Sequence, residues 1–469
     1  MSKAAAHDPE TAFQYTSLEV EALGRFARER MEDPRGGFLT TFSGGGRPLP
    51  EPVKTLISQA RSVWTCSALR AATDDALFDR LARHGVDYLV ETFLDAEDGG
   101  WYWSAEPGQG PASPPGRPLD RDKATCAQAT AIYALATFAA VYHDEAALRL
   151  AGETFDAMEP AWDSDRLGYR ETSTRDWRPA ATEAARRKTL ATHTHVLEAL
   201  TVLASLTGEK RHRDRLAQVR DVIVDRMIDP ATGAIGDQFA ADFTPLPPIP
   251  LDRLWEGAPG TPGPPPPWPT TTYGLALEAT WQLGQAEGVL LGATPGPAGA
   301  APWGTQARWG VWRDHAAIVN RVAAHALTWG YDTQLGGLYA RGPLNGPAFD
   351  TDKIFWTNAE ALVGFLHAFE VTDRAEYRRA FFGIWEFAHA HLSHPELVEW
   401  HVRADRDGNV IDQALGDRWT GGFHTTRAAI EVRERLRRLV ARDEAAEAKG
   451  DLAAALGGPS PHIGPSRTI

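Results

Sequence analysis

The sequence predicts an all-α chain folded as a barrel of twelve helices in six hairpins. Two observations carry that expectation. Apolar residues recur with the helical period in twelve separate segments, joined by alternately tight and long breaks. The long breaks and the helices that follow them also resemble one another at corresponding places, which is how a repeat architecture announces itself.

The periodic segments run over 10–31, 53–72, 75–94, 123–142, 144–158, 182–206, 209–228, 271–286, 304–329, 353–370, 373–391 and 421–441. Tight polar joins at Thr73-Asp74-Asp75, His143-Asp144, Gly208-Glu209-Lys210 and Thr372-Asp373 suit antiparallel helix pairs. The long joins share an acidic, glycine-containing turn followed by an aromatic or apolar piece. The copies are Asp33-Pro34-Arg35-Gly36-Gly37-Phe38, Asp98-Gly99-Gly100-Trp101, Asp165-Arg166-Leu167-Gly168-Tyr169 and Asp332 to Tyr339, with a weaker one from Asp229 to Gly236.

The helices after these joins share a register. Lys54, Lys123, Lys188 and Lys353 open ungapped matches, and Thr271 and Thr420 take the same place in the other two. Seven residues past each start stand Arg61, Thr130, His195, Glu278, Glu360 and Arg427. Four residues past each start stand Ser58, Ala127, Thr192, Leu275, Thr357 and His424. Residues three apart share a helix face, so both rings are expected to look inward near the helix N-termini, beside the long loops where binding sites gather. The bland alternative is that these polar groups only seal the barrel end.

At 469 residues and 43% hydrophobic content the chain can bury a large core. Residues 1–441 read as one barrel domain, with a Pro-rich insertion at 243–269 expected to form a lid or rim, and 442–469 as a loosely ordered tail. The formal charge of −14 argues against nucleic acid as a partner and gives no reason to expect an anionic membrane. Cys66 and Cys126 are too few for a disulfide framework or a cysteine metal cage. Met1 to Phe13 lacks the blocks of a secretory signal, and no window approaches an apolar membrane span, so a cytoplasmic protein is expected. His193 and His195 sit two apart, about 200° around a helix, which makes a shared metal awkward; none is expected.

In these motifs the chain resembles the N-acylglucosamine 2-epimerase family, which includes cellobiose 2-epimerases and mannose and sulfoquinovose isomerases. The resemblance spans Gly36 to Glu431. It rests on Gln59-Ala60-Arg61, Gly99 to Ser104, Thr192 to Ala199, Trp356-Thr357-Asn358-Ala359-Glu360-Ala361 and Trp419 to Arg427. It implies an (α/α)6 barrel and proton transfer at C2 of a carbohydrate substrate, without metal or other cofactor. Such chemistry needs a base of near-neutral pKa and donors for an enediolate oxygen, and histidine supplies the first. By resemblance His424 is the acid/base, Arg61 and His195 hold or polarise O1 and O2, and Glu278 binds a hydroxyl or orients the site. Trp356, Trp419 and Trp103 are implied as walls, and Glu360, Arg427, His193 and Tyr273 as further substrate contacts.

The chain departs from the family where a second catalytic histidine is usual: Leu275 stands there, and no histidine occurs between His212 and His315. Cys126, Thr130 and Ala191 replace a common tyrosine, phenylalanine and asparagine. One histidine suits aldose–ketose isomerisation, which shuttles a proton along one face, better than epimerisation, unless Tyr273, His193 or His401 supplies a second group. Two rivals stay open: a glycoside hydrolase using Glu278 and Glu360, and a non-catalytic sugar-binding descendant. The oligomeric state is not legible.

Overall fold

The computed structural model describes residues 8–108, 116–120, 122–250, 264–292, 315–419 and 421–456. Among them are twelve α-helices: α1 (Pro9–Arg30), α2 (Leu56–Thr73), α3 (Leu77–Phe93), α4 (Thr125–Tyr142), α5 (Glu145–Met158), α6 (Leu190–Thr207), α7 (Lys210–Val222), α8 (Tyr273–Leu290), α9 (His315–Trp329), α10 (Phe355–Thr372), α11 (Ala375–Phe387) and α12 (Phe423–Leu456). The expected segments match these within a few residues, with three qualifications. The segment 182–206 begins eight residues before α6, because the chain first makes a single tight turn at Ala184–Arg186 and the strand Lys188–Thr189. Residues 304–314 of the ninth lie outside the described residues, and α12 runs past Ala441 to Leu456, as the good helix formers Ala, Glu and Lys in that stretch permit.

Helix α2 packs on α4, α4 on α6, α6 on α8, α8 on α10, α10 on α12, and α12 returns to α2. Six inner helices thus close a ring, and α3, α5, α7, α9 and α11 each lie outside the inner helix that precedes them. The sixth outer position is filled by α1, which packs on α12, so the last pair is made from the two ends of the chain and is not a hairpin.

The turns have clear causes. Inner helices α2, α4, α6 and α10 end on left-handed residues, Asp74 (φ 58°), His143 (53°), Gly208 (63°) and Asp373 (56°), which reverse the chain into the outer helix. At the other end, a strand of two or three residues precedes each of α2, α4, α6, α8 and α10. Each pairs with a strand of the next long loop: Lys54–Thr55 with Ser104–Ala105, Lys123–Ala124 with Thr172–Ser173, Lys188–Thr189 with Gln238–Phe239, Thr270–Thr272 with Arg341–Pro343, and Lys353–Ile354 with His401–Ala404. All the long loops therefore gather at the N-terminal ends of the inner helices.

Those loops are copies of one another, and there are six. Each closes with a bridge: Glu32 to Phe38, Leu94 to Trp101, Trp162 to Tyr169, Ile228 to Ile235, Tyr331 to Leu338 and Ser393 to Trp400. The acids that match Asp33 and Asp332 are Asp95 and Asp163, not Asp98 and Asp165. Each pairs with the lysine that opens the next inner helix: Lys54–Asp33 and Lys123–Asp95 at 2.8 Å, Lys188–Asp163 and Lys353–Asp332 at 3.2 Å.

Inner helix α4 is long and apolar enough, by length and composition alone, to cross a membrane, against the expectation that no such segment exists. Its position explains the composition: it is enclosed by α2, α5 and α6, and a helix buried on every side has no polar face to keep.

Burial also sets the pH range of the fold. Glu171 and Glu399 are fully enclosed, and burial pushes both carboxyls up to about 7. A raised carboxyl stabilises the fold in its protonated form, fully below the ordinary value of 4.5 and decreasingly as pH rises through 7, by on the order of 3 kcal/mol each. His193 and His315 are pulled down to about 4 by the same cause, so their contribution is present above 6.5 and lost as pH falls towards 4. Melting temperature against pH should fall on both sides of a maximum in the mildly acidic range, between the ordinary values of 4.5 and 6.5, and Glu171→Gln should flatten the alkaline side. An alkaline limb identical in that variant would contradict the assignment.

Candidate active site

The shared register has a physical consequence at the four inner helices preceded by a lysine, α2, α4, α6 and α10. The residue five past the opening lysine turns outward and holds the preceding loop. Gln59 accepts from Phe38 N–H (2.8 Å), Gln128 from Trp101 N–H (2.9 Å), and Asn358 from Leu338 N–H (2.7 Å). His193 stands at the same place in α6. Its Nε2 accepts from Tyr169 N–H at 3.1 Å, while Nδ1 donates to the Thr189 carbonyl at 2.7 Å. Gly37, Gly100 and Gly168 lie against these anchors at positive φ, where a Cβ would strike Gln59, Gln128 or His193. His193 is therefore a loop anchor, and its reading as a substrate contact is corrected. Tyr273 is corrected likewise. It is fully buried in the apolar layer with Leu277 and Trp281, its ring tilted on His325 at 6.0 Å, with Gly330 and Gly342 making room for it.

Two residues further on, about 200° around the helix, the side chains point inward and meet. Arg427, fully buried, donates through Nη1 to Glu198 and through Nη2 to both Glu278 and Glu360, the last at 2.6 Å. Its guanidinium also lies over the Phe423 and Trp281 rings at 4.5 and 5.1 Å. Arg61 donates from Nη2 to His195 Nε2 at 3.3 Å and from Nη1 to the Trp419 carbonyl at 3.1 Å, and also lies over the Phe423 ring at 4.8 Å. Because an arginine only donates, His195 Nε2 must accept, which puts the ring proton on Nδ1, 3.8 Å from Glu198. The sixth member of this ring, Thr130, takes no part and bonds the Cys126 carbonyl.

His424 completes the group from one turn nearer the mouth. Its Nδ1 lies 2.7 Å from Glu360 Oε1 and its ring tilts against Trp356 at 5.5 Å. With Nδ1–H donated to the carboxylate, Nε2 carries the lone pair, and it has no protein partner among the described residues. Burial, reinforced by the Arg61 and Arg427 charges, holds His424 well below its ordinary pKa, so the ring is neutral. Burial and Arg61 pull His195 down to about 3. Glu198, Glu278 and Glu360 are raised by burial, against which Arg427 works. Arg61, largely by desolvation, drops to about 10 and still remains a cation at neutral pH.

The result is a neutral imidazole base braced by a carboxylate, beside two buried guanidinium groups. Such cations stabilise negative charge that develops on an oxygen in a water-poor site. Trp356 and Trp419 are half-buried, and Trp103 backs Trp419 at 5.5 Å. Glu278, Glu360 and His424 offer donor atoms all within 4.8 Å of one another, a set that suits a metal ion by chemistry. The Arg427 guanidinium already bridges the two carboxylates, and His424 Nδ1 faces Glu360, so the positive charge that trio calls for comes from the protein.

Glu198 escaped the sequence reading although it supports both Arg427 and His195. It lies three residues past His195, on the same face one turn deeper, and that spacing was the signal available. Residue 420, which opens the last register, and residues 251–263 of the expected lid lie outside the described residues.

A model of the N-acylglucosamine 2-epimerase family matches residues 36–268 and 308–428. The chain belongs to this family. It is 29% identical over 415 residues to cellobiose 2-epimerase of Bacteroides fragilis, covering 86% of this chain and 94% of that protein. It is 20% identical to D-mannose isomerase of Marinomonas mediterranea, over 89% and 96% of the two chains. The solved cellobiose 2-epimerase of Spirochaeta thermophila superimposes with a TM-score of 0.73 at 26% identity, over 92% of this chain and 98% of that one. That solved structure shares the ring of inner and outer helices described above.

Proposed function

We propose that this protein is a sugar isomerase or 2-epimerase that moves a proton at C2 through an enediolate, with aldose–ketose isomerisation favoured. The single observation that carries the choice is that, among the described residues of the inward-facing group, His424 Nε2 alone is an imidazole nitrogen left free to take a proton. His195 Nε2 is engaged by Arg61, His193 is a loop anchor, and Leu275 occupies the place of a second base. His424 takes the C2 proton and returns it to C1 on the same face, while Arg61 and His195 hold the O1/O2 edge whose charge grows in the transition state. Arg427, held by Glu198 and Glu278, fixes Glu360, which in turn fixes the His424 tautomer. Trp356 and Trp419 present flat apolar faces to the sugar. The relatives named cellobiose 2-epimerase and D-mannose isomerase support the reaction class.

Hydrolysis fits less well. A glycosidase needs two carboxyl groups set across a bond, one of them able to give a proton, whereas Glu278 and Glu360 are both bound to one nitrogen of Arg427. Buried free thiols at Cys66 and Cys126 suit a cytoplasmic setting.

The test is proton NMR of mannose, glucose, fructose, lyxose and cellobiose in deuterated water. The expected result is a ketose from an aldose with part of the C2 hydrogen carried to C1. An inverted aldose with full solvent deuterium at C2 would assign epimerisation, and reducing ends released from cellobiose would overturn the proposal.

A further inference from the structure

On the rim of the barrel, outside the strand that opens α6, lies a groove of about 690 Å³ lined by Arg166, Arg170, Arg186, Arg187 and Lys188, with Asp163 and Asp242. Its size falls in the range of small-molecule sites. Two of the cations are satisfied. Lys188 pairs with Asp163 and donates to the Leu167 and Ala241 carbonyls. Arg187, itself buried, is held by Glu183, Gln238 and the Pro247 carbonyl. The other three have no carboxylate within ion-pair distance among the described residues. Arg166 and Arg186 stand exposed with no side-chain bond, and Arg170 donates only to the Pro160 carbonyl and keeps a buried Nε without a partner. Against them the groove sets one further acid, Asp242, whose carboxylate accepts from Thr244 N–H and feels the Arg166 charge from beyond ion-pair distance.

Three unpaired guanidinium groups around one small volume are unexpected in a chain of formal charge −14. A guanidinium fork matches a tetrahedral oxyanion in geometry and charge, and three of them exceed what one carboxylate would neutralise. Large polyanions are disfavoured by the overall charge and by the groove's size. We propose that this groove is an anion site for the phosphate or sulfate group of a small molecule. Lys188 lies in the short strand that opens α6, seven residues before His195 and more than one helical turn from it, so the site lies beside the mouth but outside the catalytic group.

The ligand is either a free oxyanion or a sugar bearing one, and calorimetric titration separates them. Inorganic phosphate, mannose and mannose 6-phosphate are titrated into wild type and the Arg166→Ala/Arg186→Ala double variant, whose altered side chains bond nothing in the fold. The expected result is binding of a phosphorylated ligand that weakens at least tenfold in the double variant and weakens with added salt. Equal affinity for phosphate and mannose 6-phosphate identifies a free oxyanion, and binding of the sugar phosphate alone identifies a charged sugar. No binding of either by wild type, or unchanged affinity in the double variant, overturns the proposal. The readout requires no turnover, so it stands apart from the test of the reaction itself.

Discussion

Replacing His424 by alanine should lower kcat by about 100- to 10,000-fold, the span that a positioned general base contributes, while leaving the melting temperature within a few degrees. The ring packs against Trp356 and Phe423, so its loss opens space at the mouth and does not break the ring of inner helices. Glu360→Gln should act through His424. An amide oxygen still accepts from Nδ1–H, but the amide also offers N–H, so the imidazole gains a competing tautomer with its lone pair on Nδ1. Activity should fall by a smaller factor than in His424→Ala, with a displaced pH profile, because the neutral amide no longer supports charge on the ring. Steady-state rates over a pH series check both variants. Wild-type turnover by His424→Ala would remove this residue from the mechanism and with it the proposed chemistry.

The difference between His424 and His193 shows what the sequence carried and what it did not. Ungapped alignment of the inner helices was enough to pick out Arg61, His195, Glu278, Glu360 and Arg427 as one inward ring, because helical geometry converts a constant offset into a constant direction. The same alignment held the information that His193 shares its offset with Gln59, Gln128 and Asn358. That these four are loop anchors emerges only when the carbonyls and N–H groups of the loops are in view. Tyr273 was misplaced for a related reason: at the first turn of α8 it lies on the face away from the ring, a direction that residue type does not report. The sixth loop went unread because His394 stands where the others have aspartate. Its Nδ1 accepts from the N–H groups of Glu396 and Leu397, as Asp332 Oδ1 does from Gln334 and Leu335. Side-chain chemistry was conserved there in function but not in letter. The pairing of α1 with α12 was equally hidden, since a break between the chain's two ends has no turn to signal it.

Arg427→Met should destabilise the protein by about 3–5 kcal/mol at pH 8, the cost of leaving a buried charge without its partner, and abolish activity. Methionine fills similar space and keeps contact with the Phe423 and Trp281 rings, so the loss isolates the charge. Without the guanidinium, Glu198, Glu278 and Glu360 face one another in a dry interior where burial already raises all three. They escape by taking up protons, which raises their folded-state pKa values further above the unfolded one. The sign follows: protons bound in the folded state but not in the unfolded state stabilise at low pH and cease to do so as pH rises. The stability deficit of Arg427→Met should therefore be largest at pH 8 and shrink towards pH 5.5, whereas a packing defect would be nearly independent of pH. Arg427→Lys keeps the charge but, as a point donor on a flexible stem, does not span three carboxylates in fixed directions. It should recover much of the stability at pH 8 and little of the activity, because Glu360 is no longer held against His424. Thermal melts of the three proteins at both pH values decide the matter. An Arg427→Met variant as stable as wild type at pH 8 would mean that the three glutamates are neutral in the native protein and that Arg427 is not their counter-charge.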